Sequence, residues 1–404
     1  MVSLAHRRLT CVILTFRYRL LPSKAQHRAL ERILESQRQL YNAALEERMG
    51  AYRSAGKTLT YFDQCKGLTE WRKDDVEASH LPVRLQRATL KRLDEAYRGF
   101  FRRVRAGGKP GFPRFRGKGR FDSFGFREFE GITLKQGRLR FKGMPGSLRV
   151  HWHRPMPGTS IKSCTVKRDS KGWSVGFAIQ VECAAPRKIQ RAVGVDLGIS
   201  VFAALSDGGF IPSLRAARKA ERRLRIAQRA LSRRTRGSGG RRKARVAVAR
   251  CHAIAARRRR EHLHQSSARL VRDYDAVAVE KLNVKGLARS ALAKDVHDAS
   301  WALFISMLRY KAEKAGMRLI EVEPQNTTQD CSRCGIRVPK NLATRRHVCP
   351  ACGLSMDRDL NAAVNILNRA GVGPGLHNVA DCGMRAGESL RSYPCARSEH
   401  MGPN

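Results

Sequence analysis

Three acids and four cysteines are the residues in this chain whose types and spacing could do chemistry. Asp196 closes the apolar run Val193-Gly194-Val195, Glu280 closes Val277-Ala278-Val279, and Asp359 lies where Asp357-Arg358-Asp359-Leu360-Asn361-Ala362-Ala363 begins a helix. Short apolar runs of this kind form buried strands. In an open sheet the first strand and the strand after the first long crossover are neighbours, so acids at their ends can meet. Like charges a few ångströms apart oppose ionisation. Two divalent cations about 3.5–4 Å apart relieve that repulsion and promote phosphodiester hydrolysis, one beside the attacking water and one beside the leaving 3′ oxygen. An all-oxygen ligand set selects Mg2+ or Mn2+ over zinc. Each acid alone has a plainer reading: a strand-end turn for Asp196, a solvated acid for Glu280, a helix N-cap for Asp357 or Asp359. Their order and context together are what point to chemistry.

The cysteines carry a second signal. Cys331-Ser332-Arg333-Cys334 and Cys349-Pro350-Ala351-Cys352 have the spacing C-x2-C-x14-C-x2-C, and a glycine follows each pair. Two such knuckles close a tetrahedral Zn2+ shell of four thiolates, which leaves no position for water and makes the ion structural. A redox role for one C-x-x-C pair does not account for two matched ones. The other seven cysteines are scattered and read as buried or free thiols.

The elements that must position these residues are written in a very basic chain. There are 80 Lys plus Arg against 34 Asp plus Glu, a formal net charge of +46, on 404 residues. A compact body with that imbalance calls for a polyanion, and nucleic acid is the polyanion that Lys and Arg neutralise by counterion release. No run reaches the roughly 20 apolar residues of a membrane span. The short apolar stretch Cys11–Leu14 stops at Phe16-Arg17-Tyr18-Arg19, too charged for a secretory signal. The expected setting is the reducing cytoplasm, in association with the nucleoid, with monomer and dimer equally compatible with the sequence.

Alternation over residues 10–18 predicts a strand, and Ser23 an N-cap for a helix through Leu45. A further helix is expected over residues 82–105. Gly107-Gly108-Lys109-Pro110-Gly111-Phe112-Pro113-Arg114-Phe115-Arg116 then breaks the helical pattern. Lys109, Phe112, Arg114, Phe115 and Arg116 alternate ring and cation as a loop does that stacks on bases and grips phosphates; the competing reading packs the aromatics on their own domain. Strands are expected over 132–141, 148–152, 161–167 and 173–181, forming a small barrel or sandwich. A different pattern begins near residue 192, with strands at 192–196, 201–205, 209–211, 276–279 and 317–322 and an amphipathic helix at 301–315. Between the third and fourth of these strands, residues 214–272 read as two antiparallel helices broken at Gly237–Gly240. From Arg215 to Arg260 they hold one acid, Glu221. Arg222, Arg223, Arg229, Arg233, Arg257 and Arg258 are candidate phosphate contacts.

Val193-Gly194-Val195-Asp196-Leu197-Gly198, Val277-Ala278-Val279-Glu280-Lys281-Leu282-Asn283 and Asp357-Arg358-Asp359-Leu360-Asn361-Ala362-Ala363 resemble the three RuvC motifs of the TnpB family, transposon-encoded RNA-guided nucleases similar to compact type V CRISPR effectors. The resemblance spans most of the chain, from Arg98–Arg103 with Gly111-Phe112-Pro113-Arg114-Phe115 to the helix at 301–311. It implies an α/β RuvC (RNase H-like) nuclease domain at 189–327 and 355–374 with a zinc ribbon at 328–354 inserted. It also implies a β-barrel at 1–20 and 107–188 with a helical recognition domain at 21–106 inserted. Residues 375–404 are expected to be a disordered tail. Carried over by position, Asp196, Glu280 and Asp359 match the catalytic acids and would hold Mg2+ or Mn2+, while Cys331, Cys334, Cys349 and Cys352 would hold Zn2+. The implied partners are a guide RNA and a double-stranded DNA target with a short adjacent motif. Base pairing then selects the target while the protein reads the motif and grips the backbone.

Two histidine pairs and two competing functions complete the expectations. His262-Leu263-His264, with Tyr274 nearby, matches the histidine-hydrophobe-histidine pattern of single-strand transposases, but residues i and i+2 of a helix do not share a face. His151 and His153 share a face of a strand with no suitable helical tyrosine. The competing functions are a guide-independent, structure-specific RuvC nuclease and a guide-directed DNA-binding regulator without cleavage. The three intact acids disfavour the second.

Overall fold

The computed structural model describes residues 11–158, 160–283, 299–341 and 344–372. The tail expected at 375–404 lies outside them. The chain divides into two compact units: Met1–Arg187 with Ser213–Arg272 and Asn283–Arg318, and Lys188–Pro212 with Asp273–Leu282 and Leu319–Asn404.

The first unit is built on a seven-stranded antiparallel sheet. Its strands are β1 (Cys11–Leu21), β2 (Ser123–Phe126), β3 (Ile132–Lys135), β4 (Arg138–Phe141), β5 (Leu148–His151), β6 (Ile161–Asp169) and β7 (Gly172–Glu182), in the order β2-β6-β7-β1-β5-β4-β3. β1 is central because it is long enough to pair with two strands, from Cys11↔Glu182 to Arg19↔Ser174 with β7 and at Arg19↔His151 with β5. Its alternation buries Tyr18 and Leu20 and turns Arg17 outward to an ion pair with Asp169 at 2.8 Å. Phe124 and Phe126 of β2 meet Phe141 of β4 with ring centroids 6.2 and 5.5 Å apart. The sheet therefore curls until strands far apart in its order share one interior. The run expected as one strand over 132–141 is a hairpin, because Gln136 and Gly137 both take positive φ.

Between β1 and β2 the chain makes four helices: α1 (Lys24–Ala55), α2 (Tyr61–Asp74), α3 (Val76–His80) and α4 (Val83–Arg105). Ser23 caps α1 as expected, in a reciprocal box with Gln26. One face of α1, from Leu30 through Ile33, Leu34 and Tyr41 to Leu45, shares a core with Leu85, Leu90 and Leu93 of α4 and with the inner face of the sheet. Buried Arg48 donates from Nε to Gln64 of α2 at 2.8 Å and lies 3.7 Å from Asp94 of α4, tying three helices together. The same unit holds α5 (Ala216–Ser232), α6 (Gly239–Asp273) and α7 (Trp301–Ala315). α6 buries residues only from Ala255 onward, and there Lys311 of α7 donates to the His264 carbonyl at 2.6 Å and to Ser267 Oγ at 2.8 Å. Arg241 closes the carboxyl end of α5 by donating to the Leu231 and Arg234 carbonyls.

The second unit is built on a five-stranded sheet of β8 (Ala192–Leu197), β9 (Val201–Leu205), β10 (Phe210–Pro212), β11 (Ala276–Glu280) and β12 (Arg318–Val322), ordered β10-β9-β8-β11-β12. β8 is antiparallel to β9 and parallel to β11, with Val193 opposite Val277 and Val195 opposite Val279. All four valines are fully buried, as an unbroken apolar run demands when both faces of a strand are covered. After β12 come the small hairpin β13 (Arg346–Val348) and β14 (Ser355–Asp357) and the helix α8 (Arg358–Arg369). α8 lies directly on β8. A Cβ on Gly194 would stand 2.0 Å from the Ala363 carbonyl oxygen, so only glycine admits the helix there. Among the described residues no helix is long and apolar enough to cross a membrane.

Candidate carboxylate centre and cysteine cluster

The parallel register of β8 and β11 brings the first two acids together. One step beyond the pair Val195↔Val279 come Asp196 and Glu280, neighbours at the carboxyl ends of adjacent strands. Asp359 enters from the first turn of α8. Asp357 is engaged elsewhere. Its carboxylate accepts from the amides of Asp359 at 2.8 Å and Leu360 at 3.1 Å, capping the helix. Arg358 Nε donates to Asp359 at 3.1 Å.

The electrostatics report how tightly these groups are set. The Asp196 carboxyl is pushed up to about 8, first by burial and then by the charges of Glu280 and Asp359, against the opposing pull of Arg358. Glu280 is also raised, by burial, while a hydrogen bond from the Thr327 hydroxyl and the charge of Arg369 hold it back. Burial and the charges of its neighbours disfavour the Asp196 carboxylate, and three carboxylates offer the oxygen donors that hard divalent cations take. Among the described residues, only the four cysteines have ligand atoms that all lie within 4.8 Å of one another. Asp196, Glu280 and Asp359 do not form such a cluster.

The four cysteine sulfurs form the second centre. Cys331 and Cys352 Sγ are 3.6 Å apart, Cys334 and Cys349 Sγ 3.5 Å. A tetrahedral zinc with arms of about 2.3 Å spans edges of about 3.8 Å, close to this spacing. Gly335 and Gly353 turn each knuckle with left-handed backbone, and their amides donate to the carbonyls of Cys331 and Cys349. The Cys349 thiol is held down to about 6, foremost by the backbone amide of Cys352. A thiol so placed is predisposed to the thiolate form that metal needs. In the same ribbon His347 is buried and bonded to Lys340.

Of the loop residues expected at nucleic acid, Lys109, Arg114 and Phe115 are exposed. Phe112 lies edge-on to Tyr97 and Phe100, at 5.6 and 5.2 Å, with 44% of its surface still open. The Arg116 guanidinium covers Tyr41, and Asn42 bonds both the backbone amide and carbonyl of Arg116. Arg222, Arg223, Arg229, Arg233, Arg257 and Arg258 are all exposed on α5, α6 and the turn between them. Tyr274 is buried with its hydroxyl on Asp207, a structural post rather than a free nucleophile. His151 and His153 place their rings 6.3 Å apart on one side of the β5 end. Sequence reasoning passed over Thr327, Asn361, Asn365 and Arg369. The spacing of Asn361 and Asn365 by four, which puts both on one face of the helix, was the available signal.

Comparison with known proteins names these parts. A family model described as "Probable transposase" (OrfB, IS605 type) matches residues 169–291, one described as "Cas12f1-like, TNB domain" matches residues 301–366, and one described as "Helix-turn-helix domain" matches residues 12–57. In this chain that last span is β1 followed by the single helix α1. A protein of Streptomyces pristinaespiralis named "Putative RNA-guided DNA endonuclease" is 34% identical over 362 residues, which cover 87% of this chain and 88% of that protein. InsQ of Escherichia coli (strain K12), named in the same way, is 28% identical over 403 residues, covering 94% and 96%. Among solved structures, the Cas12f1-sgRNA-target DNA complex aligns with a TM-score of 0.56 at 15% identity, over 87% of this chain and 83% of that one, a likeness of fold. The match to the Streptomyces protein, above one third identity, runs nearly end to end in both chains: the chain belongs to the TnpB family of transposon-associated proteins.

Proposed function

We propose that this protein is an RNA-guided, Mg2+-dependent DNA endonuclease of the RuvC type, carried by a transposable element. The observation that supports it most is the meeting of three acids from separated segments: Asp196 and Glu280 side by side on parallel strands, and Asp359 on α8 near enough for its charge to raise Asp196. The sheet order, third-second-first-fourth-fifth in order of appearance, fits an RNase H-like nuclease. In this reading Asp196, Glu280 and Asp359 hold Mg2+ or Mn2+. The ions supply charge stabilisation for the phosphoryl group under attack and for the oxygen that leaves. The protein's own part is to keep the acids oriented and to release the Asp196 proton when a cation arrives. Cys331, Cys334, Cys349 and Cys352 hold a structural Zn2+.

The names of the relatives supply the guide RNA and DNA target as proposals for this chain. Its excess of positive charge suits both. Within the loop, Arg114, Phe115 and Lys109 are free to stack and grip, while Phe112 and Arg116 also anchor the loop to α4 and α1. Arg222, Arg223, Arg229, Arg233, Arg257 and Arg258 form a phosphate-facing surface on α5 and α6. Residues 1–188 read the short motif beside the target, and the site of action is the nucleoid in the cytoplasm.

The test is to purify the full-length protein, sequence the RNA that accompanies it, and supply that RNA with plasmids bearing the matched target and randomised flanks. Wild type is expected to cut in Mg2+ and to select a flank motif. Asp196→Asn, Glu280→Gln and Asp359→Asn should each slow cutting by roughly 100-fold or more, since metal-ion catalysis is worth several kcal/mol. Asp357→Ala should retain most activity, having lost a cap worth about 1 kcal/mol. Cutting that needs no RNA would replace this reading with a structure-specific nuclease. Tight target binding with no cutting by wild type would replace it with a regulator.

A further inference from the structure

α8 does more than carry Asp359. Its polar face grips the chain that leads into the first cysteine knuckle. Asn365 Nδ2 donates to the Thr327 carbonyl at 2.8 Å and the Asp330 carbonyl at 2.7 Å. Asn361 Nδ2 donates to the same Asp330 carbonyl at 2.8 Å, and its Oδ1 accepts from the Ser332 amide at 3.0 Å. The two asparagines are spaced by four, so they share a face of the helix. Both are buried, as is Thr327. Arg369, one turn on, donates to the Glu323 carbonyl at 3.2 Å and pairs with Asp330 at 2.8 Å.

A purely structural reading explains the asparagines, because carbonyls in a strandless segment need donors when buried. It does not explain the Thr327 side chain. That hydroxyl donates to the Glu280 carboxylate. Pro324 O lies at 3.3 Å, but a hydroxyl has one proton, and the charged acceptor is the stronger. A carboxylate can rotate about its terminal bonds, and one fixed donor decides which lone pairs face the pocket.

We propose that Thr327 is the positioning residue for Glu280, and that Asn365 and Asn361 fix Thr327 to α8, so that one helix sets two acids of the centre. Asp359 is set directly and Glu280 through Thr327. The proposal rests on the carboxylate reading given above.

The test compares Thr327→Val, which keeps shape and loses the hydroxyl, with Thr327→Ser, which restores it, in the full-length protein with its RNA. Two readouts are used: single-turnover cleavage, and Mn2+ binding followed by the loss of the free-ion EPR signal without any cleavage. Thr327→Val is expected to weaken Mn2+ binding and slow cleavage by roughly 10- to 100-fold, the usual effect of removing a partner that orients a metal ligand. Zinc content and melting temperature should stay those of wild type, and Thr327→Ser should recover both readouts. Asn365→Leu releases Thr327 by another route and should also weaken Mn2+ binding. Wild-type Mn2+ binding and cleavage in Thr327→Val and Asn365→Leu, beside an inactive Glu280→Gln, would overturn the positioning role and leave the carboxylate reading intact. An active Glu280→Gln would overturn both.

Discussion

At the scale of the residue, the proton on Asp196 is the telling quantity. Its carboxyl titrates at about 8 against an ordinary value of 3.8. Between those values the folded protein holds a proton that the unfolded chain has released, so the metal-free fold loses stability as pH rises through that window. A divalent cation needs the carboxylate bare. At limiting Mg2+, initial cleavage rates should therefore climb from about pH 6 to about pH 8, and saturating Mg2+ should flatten the climb. Rates measured across pH at two Mg2+ levels check this; identical profiles would sink it. The residues of both centres that could be read from sequence sit where a pattern changes: an acid ending an apolar run, or a cysteine pair ahead of a glycine. Thr327 was not legible. It sits in a loop without periodicity, and its meaning depends on Glu280, 47 positions away, which only the folded sheet brings near.

At the scale of the element, β8 and α8 form the contact on which the centre depends. Gly194 lies two residues before Asp196, and a methyl group there would meet helix backbone, which cannot rotate aside as a side chain can. Gly194→Ala is expected to push α8 off the sheet and destabilise the second unit by about 3 kcal/mol, the upper part of the range for overpacking. Thermal melting with and without Mn2+ reads it; an unchanged transition and unchanged Mn2+ binding would refute the contact. The strands of this unit were readable because buried parallel strands are continuous apolar runs. β2 was not, since Ser123-Phe124-Gly125-Phe126 is short and lacks β-branched residues, and it is held by pairing with β6. The hairpin of β3 and β4 hid inside one alternating run because the turn at Gln136-Gly137 costs no break in the pattern.

At the scale of the molecule, the cysteine ribbon lies between β12 and α8, and the α8 asparagines hold its first knuckle. Removing zinc should loosen the segment from Thr327 to Ser332 and with it the acid that Thr327 orients. Zinc-stripped protein is expected to cut at least about tenfold more slowly in excess Mg2+, with activity restored by zinc. Full activity without zinc would show that the ribbon and the carboxylates are independent. How the arginines of α5 and α6 divide their work was not legible from sequence. Their exposure is uniform, so composition marks the surface without ranking its members.

The second unit is assembled from three stretches of chain, Lys188–Pro212, Asp273–Leu282 and Leu319 onward. On the ribosome Asp196 emerges roughly 160 residues ahead of Asp359, a delay of roughly 10–30 s at ordinary synthesis rates. Until α8 is made, β8 lacks its cover and no third acid exists. If Asp359 is the third catalytic acid, as proposed, a nascent polypeptide, or one cut short before α8, is a harmless one. The capacity to break DNA then arrives only once α8 has been translated.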